Sequence, residues 1–458
     1  MKSTKILGRS SPIPLSVITM AAFAAFAFLS LCGLPARAEE PVDAAAWIDK
    51  NSDALIELYK QLHQAPELSM KEVETAKRMA EELRAVGAEV TTNIGGTGVV
   101  GMLQNGPGKV LMLRSDMDAL PVTEQTGLPY ASQVRVKDDR GATVGAMHAC
   151  GHDMHMTNMV GVARYLASHR EQWSGTLVII FQPGEERGLG AKAMLEDGLF
   201  VKFPRPDYGV ALHCASDLPI GQVGYGVGHI QANVDSVDIT IKGRGGHGAY
   251  PHTTIDPIVI AARLIVDLQS IVSREINPLE SAVITVGAIQ GGAKHNVISD
   301  ECRLQLTVRS FSPEVRQKLL DGIKRKAQAA AASSGAPEPE VIVSESTPSL
   351  KNDPELTERI ASILRRTVGE TNVVKGERSM GGEDFSYYGQ AGVPTCMFKL
   401  GTVKQDRFDE FAARKEPAPS LHSPFYYPDP AGSLKIGVPT MVAIVLDLLP
   451  PGKKAAVP

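Results

Sequence analysis

Two runs, residues 176–181 and 208–212, are apolar at consecutive rather than alternate positions. A strand with apolar side chains on both faces must be covered on both, as a parallel strand is in a sheet with helices above and below. Helical spacing over residues 156–167 and 192–197 puts a helix before each run. This alternation predicts an α/β fold, a three-layer domain around a mixed, mostly parallel sheet. Ligands of such sheets gather beyond the carboxyl ends of the strands. The first run leads into QPGEERG, with Glu185 and Glu186, and the second into His213; a third strand, residues 109–114, leads into SDMDALP, with Asp116 and Asp118.

The flanking chain fills in the architecture. Residues 44–58 and 69–86 have helical spacing, and residues 97–104 and 109–114 read as strands joined by a turn at Asn105, Gly106, Pro107 and Gly108, a hairpin signature. From Gly228 onward the pattern changes. Strands at 234–242, 282–289, 301–310 and 338–343, with helices at 257–272 and 313–332, follow the βαββαβ order of a ferredoxin-like unit. Residues 229–345 are therefore expected to form an inserted second domain, with residues 39–228 and 346–458 as the two parts of the first. The second part carries a helix at 353–368, a strand at 395–400 and a closing helix at 435–449, whose length suits a buried helix better than a membrane span.

The chain has 458 residues, 43% hydrophobic and 21% charged, with a formal net charge of −4. These values exclude disorder, a polybasic surface and nucleic-acid binding. Lys2, Lys5 and Arg9 precede an apolar run from Val17 to Leu34, followed by Pro35, Ala36, Arg37 and Ala38. That is the pattern of a secretory signal spanning residues 1–38, so the mature chain is expected to be exported, periplasmic or secreted, and free of the membrane; the alternative is an uncleaved anchor. Cys32 lies in this leader, leaving Cys150, Cys214, Cys302 and Cys396. If Cys150 is a metal thiolate, at most one disulfide can form among the rest, and small buried residues are the preferred reading of all three.

The segment GAMHACGHDMH, residues 145–155, sets Cys150 two residues before His152, with Asp153 and His155 close by. Thiolate and imidazole suit zinc and its transition-metal neighbours rather than calcium or magnesium. A lone C-x-H is weak, and adjacent glutamates alone are usually solvated loop charges. Together they permit a division of labour, one carboxylate holding metal while its neighbour handles the proton of an activated water. Five candidate ligands, Cys150, His152, Glu186, His213 and His422, can give three to each of two ions if one of them bridges.

The ordered runs LRSDMDALPV, GAMHACGHDMH, FQPGEERGLGA, ALH, GRGGHGAYPH, NVISD, GGEDFSYY and LHSP resemble the binuclear metallohydrolases of the aminoacylase and glutamate-carboxypeptidase family, from about Leu55 to Leu449. The branch they resemble most is that of hippurate hydrolases and indole-acetyl-amino-acid hydrolases. The resemblance implies that Cys150 bridges two divalent ions, Glu186 and His422 complete one site, and His152 and His213 the other. It makes Glu185 the general base and acid, with Asp118 orienting His152 or His213. Asp116 stands where other branches have a histidine and is left out of the ligand set. His247, Asn296 and Arg309 match residues that hold the tetrahedral intermediate and the substrate carboxylate. Seen alone they would read as a turn histidine, a capping asparagine and a strand arginine. The resemblance also implies a homodimer in which His247 reaches the partner subunit's site. Gly381 and Gly382 match a turn whose amides face the substrate carboxylate, while His148, His155, His252 and Asp384 read as supporting residues. Gly184 and Arg187 depart from the branch pattern, where alanine and glycine are usual.

The activity implied is metal-assisted hydrolysis of an N-acyl or N-aroyl amino acid to a carboxylic acid and a free amino acid. Its nearest competitor is a dipeptidase or carboxypeptidase acting on small peptides, and a non-catalytic exported binding protein is the reading from another class. Zinc is the expected metal, with manganese, cobalt or nickel able to occupy such ligands.

Overall fold

The structure is a computed structural model that describes residues 44–138 and 141–452. The expected leader, residues 1–38, lies outside the described residues. The central sheet has eight strands: β1 (Glu89–Ile94), β2 (Gly98–Asn105), β3 (Val110–Asp116), β4 (Gly175–Gln182), β5 (Tyr208–Pro219), β6 (Val223–Tyr225), β11 (Val373–Lys375) and β12 (Thr395–Val403), in the order β1-β2-β4-β3-β5-β12-β6-β11. The middle of it, β4-β3-β5-β12, is parallel throughout.

Alternate side chains of these strands enter two different cores. Leu111, Leu113, Leu177, Ile179, Phe181, Val210, Leu212 and Phe398 face one, shared with helices α1 (Ala44–Gln64), α2 (Val73–Ala85), α3 (His152–Ser168), α6 (Pro354–Val368) and α7 (Pro430–Leu448). Met112, Val178, Ile180, Ala211 and Met397 face the other, with Met194, Leu199, Phe385 and Tyr388. Three layers follow, as the consecutive apolar runs require. The closing helix α7 is long and apolar enough to cross a membrane, but it packs against α1, α3 and α6 and lies largely buried.

The expected hairpin between residues 97–104 and 109–114 does not form. Strand β4 lies between β2 and β3, antiparallel to the first (Val99 opposite Phe181) and parallel to the second (Val110 opposite Thr176). The turn chemistry is present, with Gly106 at φ 77°. The pairing differs because β3 and β4 are both apolar on two faces, and lying side by side in the sheet interior buries both. The hairpin partner of β2 is β1, which sequence reasoning did not assign. The expected helix from Ser69 also starts late, at Val73. Met70 sits at φ 63°, and residues 69–72 turn beneath the cleft instead.

The insert builds its own sheet from β7 (Asn233–Lys242), β8 (Ala282–Gly291), β9 (Glu301–Ser310) and β10 (Glu340–Thr347), antiparallel in the order β8-β9-β7-β10. That is the ferredoxin-like order. Helices α4 (Pro257–Ser270) and α5 (Pro313–Ser333) cover it, and Ile239, Ile241, Leu264, Leu268, Leu304, Leu306, Leu319 and Ile323 form a core apart from the other two. Each helix starts on a capping side chain followed by proline, Asp256 accepting from the Ile258 amide and Ser312 from the Val315 amide. Gly246–His247 and Val297–Ile298 form a separate two-residue ladder.

Candidate metal centre and catalytic cleft

A cleft of about 770 Å³ opens beyond the carboxyl ends of the central strands. It is lined by Cys150, Glu185, Glu186, His213 and His422, by Gly381 and Gly382, and by Arg309 from the inserted sheet. His152 is buried directly behind this wall.

Two of the imidazoles are oriented by a backbone carbonyl. His152, the first residue of α3, donates from Nδ1 to the Asp118 carbonyl oxygen at 2.8 Å. His213, in β5, donates from Nδ1 to the Cys214 carbonyl oxygen at 2.7 Å. A carbonyl only accepts, so both rings carry the proton on Nδ1 and present the Nε2 lone pair to the cleft. Nε2 of His152 is 3.8 Å from Glu186 Oε1, and both atoms are buried without a hydrogen-bond partner. His213 Nε2 is 3.7 Å from Cys150 Sγ, and His422 Nε2 is 3.5 Å from Glu186 Oε2. The last two spacings suit atoms that share a cation about 2.0–2.3 Å from each.

The local backbone is bent to make this convergence. Gly151 stands between Cys150 and α3 at φ 82°, and a Cβ there would lie 2.9 Å from Cys214 Sγ. Gly184 precedes the two glutamates at φ 61°, and its added Cβ would meet Met70 Sδ at 2.5 Å, which accounts for glycine where the branch has alanine. His422 is a non-glycine residue at φ 68°, tied by its amide to the Ala149 carbonyl at 2.8 Å. Strain of this kind persists where the surroundings enforce it.

Among the described residues five groups of three have ligating atoms within 4.8 Å of one another: Asp116, His152 and His155; His152, Glu185 and Glu186; Glu185, Glu383 and Asp384; and two triads, Cys150, His152, His213 and Cys150, Glu186, His422. The last two share the thiol and match the division the resemblance implied. Asp116 stays out of both. Its Oδ2 takes Arg114 Nη1 at 2.6 Å and its Oδ1 takes His155 Nδ1 at 2.6 Å. His155 in turn accepts the Cys214 amide on Nε2 at 2.7 Å, so both its nitrogens are occupied and it supports rather than ligates. Asp118 braces His152 mainly through its carbonyl; its carboxylate takes the Ser69 hydroxyl at 2.6 Å and the Glu186 amide at 3.0 Å, with Oδ1 3.3 Å from His152 Nδ1. His148 is buried with neither ring nitrogen bonded, and His252 is exposed on a turn away from the cleft.

Charge is unevenly distributed in this centre. Burial, then the neighbouring Glu383, Glu186 and Asp384 carboxylates, push Glu185 well above the usual carboxylate range. Burial raises Glu186 to about 8 despite the opposing pull of His152, and burial followed by Glu186 holds the Cys150 thiol up. A cation among these groups would reverse each of those directions.

Sequence reasoning missed three residues that hold the floor of the cleft. Arg114 is wholly buried and binds Asp116, Glu383 at 2.9 Å and Asp384 at 3.1 Å. Glu72 accepts the Gly184 amide at 2.8 Å and the Thr97 hydroxyl at 2.6 Å, fixing the turn before Glu185. A charge inside the run VLMLRSD was the available signal for Arg114; Glu72 and Glu383 gave none.

The insert contributes unequally. Arg309 lines the cleft, donating to the Met380 carbonyl at 2.5 Å and to the Thr307 hydroxyl at 3.3 Å. Gly381 and Gly382 also line it, the Gly381 amide donating to Ser379 Oγ at 3.0 Å. His247, on the small ladder, and Asn296, in the turn before its second strand, are exposed and do not line the cleft.

Residues 112–419 match the profile of peptidase family M20/M25/M40. The chain belongs to this family. Over 359 residues this M20-family chain is 38% identical to a thermostable carboxypeptidase of Saccharolobus solfataricus, covering 78% of itself and 87% of that relative. It is 38% identical over 354 residues to an N-acetylcysteine deacetylase of Bacillus subtilis, covering 76% and 88%. Among solved structures, a dinuclear metal-binding M20 peptidase of Bacillus subtilis superposes with a TM-score of 0.70 at 31% identity, covering 88% of this chain and 99% of that one. The family expected from the motifs is thus the family found.

Proposed function

We propose that this M20-family hydrolase cleaves the amide bond of N-acyl or N-aroyl amino acids, with two divalent cations held by Cys150 in common, by Glu186 and His422 on one side and by His152 and His213 on the other. The observation that carries the reading is the pair of triads sharing one thiol; Glu185 belongs to neither, although it also groups with His152 and Glu186. Orphaned Nε2 of His152 and Oε1 of Glu186, facing each other in a buried wall, fit such ions. When bound, the ions polarise a substrate carbonyl and acidify a water molecule. Glu185, buried and short of hydrogen-bonding partners, accepts a proton on its carboxylate and passes it to the leaving nitrogen. Arg309 takes the substrate carboxylate, and His247 and Asn296 complete the clamp from the other subunit of a homodimer.

Zinc is the proposed metal because thiolate and imidazole dominate the ligands. The thermostable carboxypeptidase relative supports a second reading, cleavage of small peptides by the same chemistry. We place the reaction outside the cytoplasm on the leader pattern. One preparation tests these points. Protein recovered from the exported fraction should begin at Glu39, carry two metal ions per chain and release glycine from hippurate faster than it cleaves dipeptides. Glu185→Gln should keep both ions and lose about 10²–10⁴-fold in kcat. Turnover by that variant near the wild-type rate, or metal-independent turnover, would sink the assignment.

A further inference from the structure

Lys399 lines the cleft and has no role in the chemistry above. Lys399 lies in β12, with its Cα opposite that of His213 in parallel β5 and that of Gly224 in antiparallel β6. Paired residues of neighbouring strands share a face, and the preceding pair confirms which: Ala211 and Met397 both enter the core opposite α3. Lys399 therefore stands one strand beyond a proposed metal ligand, on the same face, and its side chain lines the cleft. Its neighbour in β6 is a glycine that also lines the cleft. A Cβ on Gly224 would come within 3.3 Å of Lys399 Cβ and 3.1 Å of Leu218 Cδ1, so the missing side chain makes room for the lysine stem.

The ammonium of Lys399 makes no ion pair or hydrogen bond among the described residues, although Asp217, Glu345 and Glu377 line the same cleft. Arg309, which the inserted sheet brings to the same cleft, is already bonded to the Met380 carbonyl and is assigned to the substrate's α-carboxylate. A half-buried lysine without a partner, placed in the middle of a core strand whose other residues are buried, is poorly explained as a solvated surface charge.

Resting on the amidohydrolase reading, we propose that Lys399 is a specificity-determining residue that recognises a second carboxylate on the substrate, so that the preferred substrates are dicarboxylic N-acyl amino acids. That carboxylate comes either from an acidic amino-acid side chain or from a dicarboxylic acyl group. The chemistry is the same at Lys399 and the two sources differ only in which side of the amide they occupy.

The test compares kcat/KM within two matched pairs on the metal-loaded protein: N-acetylglutamate against N-acetylglutamine, and N-succinylalanine against N-butanoylalanine. One charge-assisted hydrogen bond is expected to favour the acid by about tenfold in one pair, and the pair that shows it identifies the side. Lys399→Met should bring that ratio close to one, and Lys399→Arg should keep most of it. Calorimetric binding of glutamate against glutamine, and succinate against butanoate, should show the same discrimination and the same loss without depending on turnover. No preference for the acid in either pair, or a preference that survives in Lys399→Met, overturns the proposal. Turnover of the neutral substrates in that case leaves the amidohydrolase reading standing; absence of turnover on all four removes both.

Discussion

The two places that sequence motifs marked for catalysis are built in opposite ways. In the metal centre, Cys150, His152 and Glu185 are buried, and Asp118, 34 residues before His152 and 68 before Glu186, holds both in orientation, by its carbonyl on the His152 ring and its carboxylate on the Glu186 amide. On the insert, His247 and Asn296 are exposed and make only local contacts: His247 Nδ1 accepts the Ala249 amide at 3.1 Å, and the Asn296 carbonyl accepts the Gly248 amide at 2.8 Å. One chain specifies the first arrangement fully. The second does not reach the cleft of its own chain, so the same grade of motif can mark residues that the fold brings together and residues that it leaves apart.

The buried side of that comparison breaks most severely at Arg114. Its guanidinium is set against Asp116, Glu383 and Asp384, all of them buried. Arg114→Met leaves those carboxylates together without it, which should cost about 3–5 kcal/mol. Chemical denaturation should show the midpoint falling accordingly, with activity falling in parallel as Asp116 and Asp384 shift. A midpoint that stays put would mean the floor of the cleft is not held by this charge.

The exposed side breaks differently. His247→Ala should leave the denaturation midpoint unchanged while lowering kcat by about 10²–10³-fold, the usual effect of deleting one donor to a developing oxyanion. If the histidine serves the other subunit, mixing His247→Ala with Glu185→Gln should restore activity, because each hybrid dimer then holds one cleft with both groups intact. Absence of recovery in verified hybrids would return His247 to the role of a turn residue.

The contrast also explains what could be read from sequence. The candidate ligands Glu186 and His213 were legible because they fall at the ends of recognisable strands, and Cys150, His152 and His422 because their residue types stand out in segments without regular spacing. Pairing was less legible. The Asn105–Gly108 turn has hairpin chemistry, but local turn residues cannot report that β4, some seventy residues on, will insert between the strands they join. Glu72 was hidden for a related reason: residues 69–72 carry helical spacing, and only the contacts with Gly184 and Thr97 show that the segment is turned toward the cleft. Long-range contacts decide both cases, and no local period encodes them.

A buried charged cluster is not by itself a site, and His63 sharpens the distinction. Its ring lies between Asp153 Oδ2 at 2.6 Å and Glu124 Oε1 at 3.1 Å, with Tyr59, Tyr130 and His148 nearby. Burial alone would lower its pKa, but the two carboxylates outweigh burial and raise it from 6.5 to about 9. The folded value exceeds the unfolded one, so the stabilisation is complete below about pH 6.5 and is lost as pH rises through about 9. The same bonds hold Asp153 and Glu124 down, so their share is lost instead as pH falls through the acid range. The imidazolium contribution is on the order of 3 kcal/mol at most. Denaturation midpoints of the wild type should therefore decline between pH 6 and 9 more steeply than those of His63→Gln, with metal content the same in both; equal slopes would remove the charge from this trio. Both nitrogens of His63 are bonded, whereas His152 Nε2 and Glu186 Oε1 are buried and orphaned. Satisfied burial stabilises a fold, and unsatisfied burial at a strand end is what a ligand completes.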